Sequence, residues 1–252
     1  MLNNTKYKLQ NSELTLGVGL VQSRTVEVAP LMKTAGFDWL FIDLEHGAMN
    51  TETVAQISAM AIKTDITPIV RVPINGYSMI SRILDNGAMG IVLPHVETPE
   101  EAKKLVDIAK FSPEGSRGVG GGIVQYDYKN INLKKATKEL NDQTLLVAMV
   151  ETPNAIDEIA SVDGIDVIMI GTNDLAMASG CPQDFGNKII VEHYKKVADA
   201  CKKYNKFLGS GGVKDAEVAR KYIDMGANFF LAGQDIGFLL SASKDRVDLL
   251  KG

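Results

Sequence analysis

Two carboxylates, Glu151 and Asp174, each follow a run of apolar residues, LLVAMV at 145–150 and IDVIMIG at 165–171. Both runs have the composition of buried strands, so we expect the side chains to leave neighbouring strands about 4.8 Å apart. Carboxylates that close repel each other unless they share a proton or a cation. Oxygen ligands suit Mg²⁺ or Mn²⁺, and Co²⁺ also fits such a site. We therefore predict a divalent-metal site here; the alternative is a pair of solvated or arginine-paired carboxylates at loop starts.

A histidine and an arginine stand at two further strand ends. His46 follows FDWLFID and suits a base near neutral pH, especially if Asp43 or Glu45 orients its ring. On position alone, a hydrogen-bonded structural histidine fits equally well. Arg71 ends an apolar run, and a buried guanidinium needs an anion. That anion is either a substrate carboxylate or enolate, or an internal partner such as Asp85 or Glu45.

Weaker signals come from three other places. His95 follows the fourth apolar run and faces the same end of the predicted strands, although a structural role is favoured. Arg117, in SRGVGGG, is a candidate for a second anionic group of a substrate, with a structural role equally favoured. The turn Gly171, Thr172, Asn173 leads from a strand into a helix, and its backbone N–H groups suit a carboxylate or phosphate, a weak signal by itself.

The elements that position these residues are eight apolar, β-branched runs separated by segments of helical period. The runs lie near 14–20, 37–43, 66–72, 89–94, 145–150, 165–171, 206–210 and 227–233. Nearly continuous apolar strands indicate burial on both faces, as in a parallel sheet. The pattern predicts an α/β fold, one (β/α)₈ barrel domain over residues 1–252, with its chemistry at the carboxyl ends of the strands.

Two details of the connections carry expectations. Thr98-Pro99-Glu100-Glu101 is a capping box that predicts a helix start. Glycines at 36, 87 and 226 are placed to end helices before the next strand. The irregular stretch 111–143, with its glycine-rich centre, predicts a mobile loop over the site and some helix around 131–141.

Composition excludes several classes of protein. Of the 252 residues, 45% are apolar and 23% charged, which is enough apolar material for a core. The net charge is −4 without a basic block, so we expect no nucleic-acid partner. No apolar run is long enough to span a bilayer, and the polar start lacks a signal-peptide core, so we expect a cytoplasmic protein. Cys181 and Cys201 have no metal-type or disulfide spacing.

The lysines are informative by their placement. Enzymes that form a Schiff base with a carbonyl substrate need a lysine pointing into the barrel, and no lysine falls on the carboxyl half of a predicted strand. Lys214, past the turn after the seventh strand, is the nearest candidate. A metal is therefore favoured over a lysine as the group that would stabilise negative charge on a substrate.

Several runs in the sequence resemble the HpcH/HpaI aldolase family, metal-dependent aldolases for 2,4-dihydroxyhept-2-ene-1,7-dioate and 2-dehydro-3-deoxyglucarate. The runs are FDWLFIDLEHGAMN, RVPINGYSMISRILDNGAMGIVLPHVETPEEA, SPEGSRGVGGG and VETPNAIDEIASVDGIDVIMIGTNDLAMASG. The resemblance spans about residues 15–240. It implies a TIM barrel, usually hexameric, whose last helix is exchanged between subunits. It also implies reversible cleavage of a 4-hydroxy-2-oxo acid to pyruvate, or a close 2-oxo acid, and an aldehyde.

The resemblance also implies roles for single residues. Glu151 and Asp174 look like the metal ligands, His46 like the base with Asp43 as its orienting partner, and Arg71 like the residue that stabilises the enolate. The turn at Gly171 looks like the cradle for the carboxylate of pyruvate.

This chain departs from the family in that turn. Family members commonly read G-P-A-D-L where it has Gly171-Thr172-Asn173-Asp174-Leu175. His95 also replaces an apolar residue of some members. Both changes bear on the identity of the substrate. The alternatives are a 2-oxo acid decarboxylase, another carbon–carbon lyase on the same scaffold, and a catalytically silent barrel used for binding.

Overall fold

The computed structural model describes residues 3–120, 122–152 and 154–252, and its strands form one closed parallel barrel in sequence order. The strands are Thr15–Leu20 (β1), Trp39–Asp43 (β2), Thr67–Arg71 (β3), Gly90–Leu93 (β4), Leu145–Val150 (β5), Val167–Gly171 (β6), Phe207–Gly211 (β7) and Ala227–Gln234 (β8). The predicted (β/α)₈ architecture is confirmed, and each strand lies within about two residues of its predicted bounds.

One helix precedes the first strand and packs at the amino end of the barrel, and the helices between successive strands cover its outside. They are Asn4–Gln10 (α1), Val28–Thr34 (α2), Thr51–Lys63 (α3), Tyr77–Asp85 (α4), Pro99–Ala109 (α5), Leu133–Gln143 (α6), Ile156–Ala160 (α7), Thr172–Ala178 (α8), Lys188–Tyr204 (α9), Ala216–Asp224 (α10) and Asp235–Lys251 (α11). A 3₁₀ turn spans Val124–Tyr126. The capping box at Thr98 and Glu101 is present, and Gly36, Gly87 and Gly226 have positive φ angles, as a helix end followed by a strand requires.

The barrel interior is filled by large side chains. Trp39 stacks on Phe229 with ring centroids 3.9 Å apart. A Cβ at position 17 would lie 2.3 Å from the Trp39 ring, so Gly17 is what admits the indole. Leu9 of α1 packs against this interior cluster from the amino end of the strands. The packed interior leaves the carboxyl end of the barrel as the open end.

The stretch 111–143 was expected above the site, and that prediction is wrong for this chain. It follows α5, which runs back to the amino end of the strands, and it stays there. The backbone N–H of Arg117 donates to the Lys110 carbonyl over 2.9 Å, and the Gln125 side chain donates to the Leu84 carbonyl over 2.7 Å. Gly121 lies outside the described residues. The expected helix within the stretch is confirmed as α6.

Helix α11 leaves the barrel with apolar side chains exposed. Leu239, Leu240, Leu249 and Leu250 are each more than two-thirds exposed. Within the described part of the chain, no helix is long and apolar enough to cross a membrane.

Candidate active site

An arginine–aspartate pair forms the floor of the site. Asp43 and Arg71 end β2 and β3 at matching register positions. The guanidinium binds both carboxylate oxygens of Asp43, with Nε to Oδ1 at 2.9 Å and Nη2 to Oδ2 at 2.6 Å. Asp43 Oδ1 also accepts the backbone N–H groups of Glu45 and His46. Burial acts to raise the Asp43 pKa, but Arg71 and these two amides outweigh it and the pKa is lowered.

Glu45 lies at the centre of the remaining charges. Its Oε2 is 3.0 Å from Arg71 Nη1 and 3.9 Å from His46 Nε2, and its Oε1 is 3.6 Å from His95 Nε2. The His46 side chain is 67% exposed, and Glu45 is its neighbouring carboxylate. Asp43 contacts the His46 backbone instead of its ring. Of the two partners considered for orienting His46, the geometry therefore favours Glu45.

Glu151 follows β5 and is buried, with a relative exposure of 5%. Its neighbour across the strands is Gly171, where a Cβ would lie 2.7 Å from Glu151 Cγ. Burial raises the pKa of Glu151 to about 7; His95 opposes this shift, and the charges of Asp174 and Glu45 add to it. A carboxylate this crowded by negative charge is a site that a cation would stabilise.

His95 is brought into the site more closely than the sequence suggested. Its Nδ1 pairs directly with Glu151 Oε2, although the contact is not directed well enough to satisfy that buried oxygen. His95 has a φ of +51°, a left-handed conformation that costs a non-glycine residue on the order of 1 kcal/mol. The imidazole therefore lies between Glu45 and Glu151, at the carboxyl end of β4.

Asp174 lies in the first turn of α8 and is exposed. Glu151 and Asp174 leave consecutive, paired strands, as predicted. Among the described residues, no three His, Cys, Asp or Glu side chains are grouped to hold a metal. The residues nevertheless fit Mg²⁺ or Mn²⁺, which are commonly held by two carboxylates with water and substrate in the other positions. The incompletely satisfied oxygen of Glu151 supports this fit.

The turn after β6 is stabilised by buried hydrogen bonds. Thr172 is buried, and its hydroxyl lies 2.7 Å from the Tyr194 hydroxyl, which lies 2.7 Å from the Ser210 hydroxyl. Gly212, with a φ of +94°, lies so close to Asn173 that a Cβ would be 2.8 Å from Asn173 Nδ2. Tyr194 was missed in the sequence because a tyrosine on the apolar face of a helix looks like any other core residue.

Arg117 is not brought to the site within this chain. Its Nη2 donates to Asp85 Oδ1 over 2.6 Å, and its guanidinium lies over the Phe111 ring at 4.4 Å. Asp85 ends α4, so this pair lies at the amino end of the barrel. Asp85, considered as a partner for Arg71, is bound by Arg117 instead.

A family model for the HpcH/HpaI aldolase/citrate lyase family matches residues 20–242. The chain belongs to this family. A hydroxypyruvate/pyruvate aldolase of Roseovarius nubinhibens is 32% identical to it, covering 96% of this chain and 94% of the relative. A 2-keto-3-deoxy-L-rhamnonate aldolase of Klebsiella pneumoniae is 33% identical, covering 99% and 93%.

Solved structures agree with this assignment. An HpcH/HpaI aldolase from Desulfitobacterium hafniense superposes with a TM-score of 0.92 at 28% identity, covering 98% of this chain and 96% of that one. The family model spans residues from the end of β1 into α11, so the residues described above lie within the part of the chain that the family shares.

Proposed function

We propose that this protein is a divalent-metal-dependent aldolase. It reversibly cleaves a 4-hydroxy-2-oxo acid into pyruvate, or a close 2-oxo acid, and an aldehyde. The observation that carries the proposal is the convergence of Glu151, Asp174 and Arg71 at the open end of the barrel. Relatives named as pyruvate and 2-oxo acid aldolases, aligned over nearly the whole chain, support it.

Glu151 and Asp174 would hold the cation. When bound, a divalent cation polarises a 2-oxo group and acidifies the adjacent carbon. Arg71, held rigid by Asp43 and Glu45, faces the site with a permanent charge that stabilises a developing enolate oxygen. Its fixed planar fork also suits an oxygen of the substrate.

We assign the proton transfers of the reaction to His46. In the cleavage direction, a base takes the proton from the 4-hydroxyl, the bond between carbons 3 and 4 breaks, and the aldehyde leaves. The electron pair remains on the pyruvate fragment as its enolate, which then takes a proton at carbon 3. The His46 side chain is 67% exposed and has Glu45 beside it to stabilise a charged ring.

The metal assignment is tested by exchange of pyruvate methyl protons into deuterated water. Glu151→Gln and Asp174→Asn should each lose exchange, because each removes one of only two anionic ligands. Chelator should silence the wild type, and added Mn²⁺ or Mg²⁺ should restore it. Glu158→Gln, an exposed carboxylate on α7, is the control and should exchange normally. Exchange that persists in metal-free protein contradicts the proposal and makes Lys214 the next residue to test.

The two histidines are separated by matched substitutions. His46→Asn should lower exchange by about 10² or more, the usual contribution of a general base. His95→Asn should retain most exchange, because we assign no proton to that ring. The reverse order of effects would move the base to His95.

We further propose that the protein is a homo-oligomer, a hexamer in which α11 is exchanged between subunits. The exposed leucines of α11 support this, since a row of apolar side chains on a helix favours burial against another surface. Sedimentation should show an assembly at micromolar concentration, and a stable monomer would contradict it.

A further inference from the structure

Three hydroxyl groups form a buried chain below the proposed metal site. The Tyr194 hydroxyl, from α9, lies 2.7 Å from Thr172 Oγ1 and 2.7 Å from Ser210 Oγ. All three residues are fully buried. The chain joins one outer helix to the turn after β6 and to the end of β7.

Tyr194 is itself held in place by a second tyrosine. Its ring stacks on Tyr222 of α10, with centroids 3.5 Å apart and planes 7° apart. The Tyr222 hydroxyl donates to the Phe185 carbonyl, so it takes no part in the chain of three. Burial raises the pKa of Tyr194 to about 12, so its hydroxyl keeps its proton. A fixed ring and a neutral hydroxyl give Thr172 and Ser210 a partner at a fixed position.

The turn that this chain holds lies between the two proposed metal ligands. Thr172 is preceded by Gly171, which packs directly on the Glu151 side chain. Asp174 follows two residues later, in the same turn of α8. A shift of Thr172 therefore moves the Asp174 backbone relative to Glu151.

We propose that Tyr194 is a positioning residue that fixes Asp174 relative to Glu151 by linking the hydroxyls of Thr172 and Ser210. The proposal rests on the two-carboxylate metal site proposed above. Without the Tyr194 oxygen, two hydroxyls lose their partner in a dry interior, where an unpaired polar group is costly. The turn then shifts or admits water, and the carboxylates no longer present a preset spacing to a cation.

The test compares Tyr194→Phe with Tyr222→Phe. Each variant removes one buried hydroxyl from the same stacked pair, so both should lower the Tm of the metal-free protein by a few degrees. Binding of Mn²⁺ to metal-free protein is measured by electron paramagnetic resonance. Tyr194→Phe should weaken it on the order of tenfold, the low end for partners that orient metal ligands. Tyr222→Phe should leave it unchanged.

Substitutions at Thr172 provide a second, independent measurement. Thr172→Ser keeps the hydroxyl and should keep the Mn²⁺ affinity of the wild type. Thr172→Val has nearly the same shape without the hydroxyl and should match Tyr194→Phe. Combining Thr172→Val with Tyr194→Phe should add little, because both remove the same link.

The outcomes separate this inference from the proposed function. Wild-type Mn²⁺ affinity in Tyr194→Phe, or an equal loss in Tyr222→Phe, overturns the positioning role and leaves the aldolase proposal intact. Tight Mn²⁺ binding by a wild type that neither exchanges pyruvate protons nor cleaves a hydroxy-oxo acid overturns the function alone. A wild type whose Mn²⁺ binding does not depend on Asp174 and Glu151 overturns the metal site, and the positioning role with it.

Discussion

The two ends of the barrel both bury charged groups, but they use them differently. At the amino end, Lys6 of α1 lies 2.7 Å from Asp166 Oδ1 and also donates to the Thr144 carbonyl. The other oxygen of Asp166 accepts the Leu146 backbone N–H over 2.8 Å. Lys110 donates to the Asn141 and Thr144 carbonyls, and burial lowers its pKa to about 8. Each of these three charged groups, Lys6, Asp166 and Lys110, has a partner from the chain itself.

At the carboxyl end the charges do not balance. Asp43 and Glu45 pair with Arg71, and the charges of Glu45 and Asp174 act on Glu151. Among the described residues joined by these interactions, Arg71 is the permanent cation. Near the amino end, Arg117 Nε and Gln125 Oε1 also lack a hydrogen-bond partner, but neither is a carboxylate oxygen; at the carboxyl end, the buried oxygens of Glu45 and Glu151 lack a well-directed hydrogen bond. Such groups cost free energy unless something binds there. The two ends therefore differ in charge: carboxylates outnumber permanent cations at the carboxyl end, and a bound cation would offset that excess.

The largest expected effect tests the carboxyl end. Arg71→Lys keeps the charge but loses the planar fork that binds Asp43 through two hydrogen bonds. We expect kcat to fall by about 10² or more, as when a preorganised donor is lost. Steady-state kinetics and circular dichroism measure this together. Near-normal turnover in a folded variant would make Arg71 a structural ion-pair partner, like the charges at the amino end.

The sequence was sufficient to predict the barrel and to place Glu151, Asp174 and Arg71 at its carboxyl end. Apolar runs such as 145–150 and 165–171 are long enough to be recognised as buried strands, and parallel strands in a barrel bring their carboxyl ends together. The positions of Glu151 and Asp174, just after two adjacent strands, followed directly from this rule. The close pairing of Asp43 with Arg71 depends on strand register, which apolar composition does not specify.

Contacts between distant segments were not predictable. The glycine-rich loop that contains Arg117 was expected over the site, and Arg117 was a candidate for a substrate contact with a structural role equally favoured. Its partner Asp85 lies far away in sequence, at the end of α4. A structural role was favoured for His95 because its position depends on a left-handed backbone conformation, which the sequence around it does not indicate by a glycine. Tyr194 was overlooked because its two hydroxyl partners come from two different strand ends.

A second prediction concerns the Lys6–Asp166 ion pair at the amino end. Lys6→Met removes a partner of Asp166, whose side chain is 16% exposed. Breaking a pair this buried should lower the free energy of unfolding by about 3 kcal/mol, the low end for buried ion pairs. The KM for the 2-oxo acid should be unchanged, since Lys6 is at the opposite end from the site. Denaturant titration measures the free energy of unfolding, and kinetics on the same samples measure KM. A raised KM would mean that the two ends are coupled.

A smaller effect is expected for Arg117→Met. Its partner Asp85 is 38% exposed, so water replaces much of the lost guanidinium. We expect a loss of about 1–2 kcal/mol in the free energy of unfolding, with kcat and KM unchanged, because the missing hydrogen bonds are partly compensated by solvent. An increase in KM without a loss of stability would instead place Arg117 at a site shared with a second subunit, where the sequence had suggested a contact with substrate.

The smallest effect should come from Lys8, two residues from Lys6 on the same helix. Lys8 Nζ lies 2.7 Å from Asp38 Oδ1, the same distance as in the Lys6 pair, but its side chain is 40% exposed. Lys8→Met should therefore cost only about 0.2–1 kcal/mol of unfolding free energy, and less in high salt.

The hydrogen bond to Asp38 outweighs burial and raises the Lys8 pKa. Because the lysine pKa is higher in the folded state, the ion pair contributes its full stability below the unfolded pKa of about 10.4. This contribution is lost as the pH rises through the folded pKa. The difference between wild type and Lys8→Met, measured by urea titration, should thus be flat from about pH 6 to 9 and shrink above pH 10. A loss as large as that of Lys6→Met would show that distance, and not burial, sets the strength of these pairs.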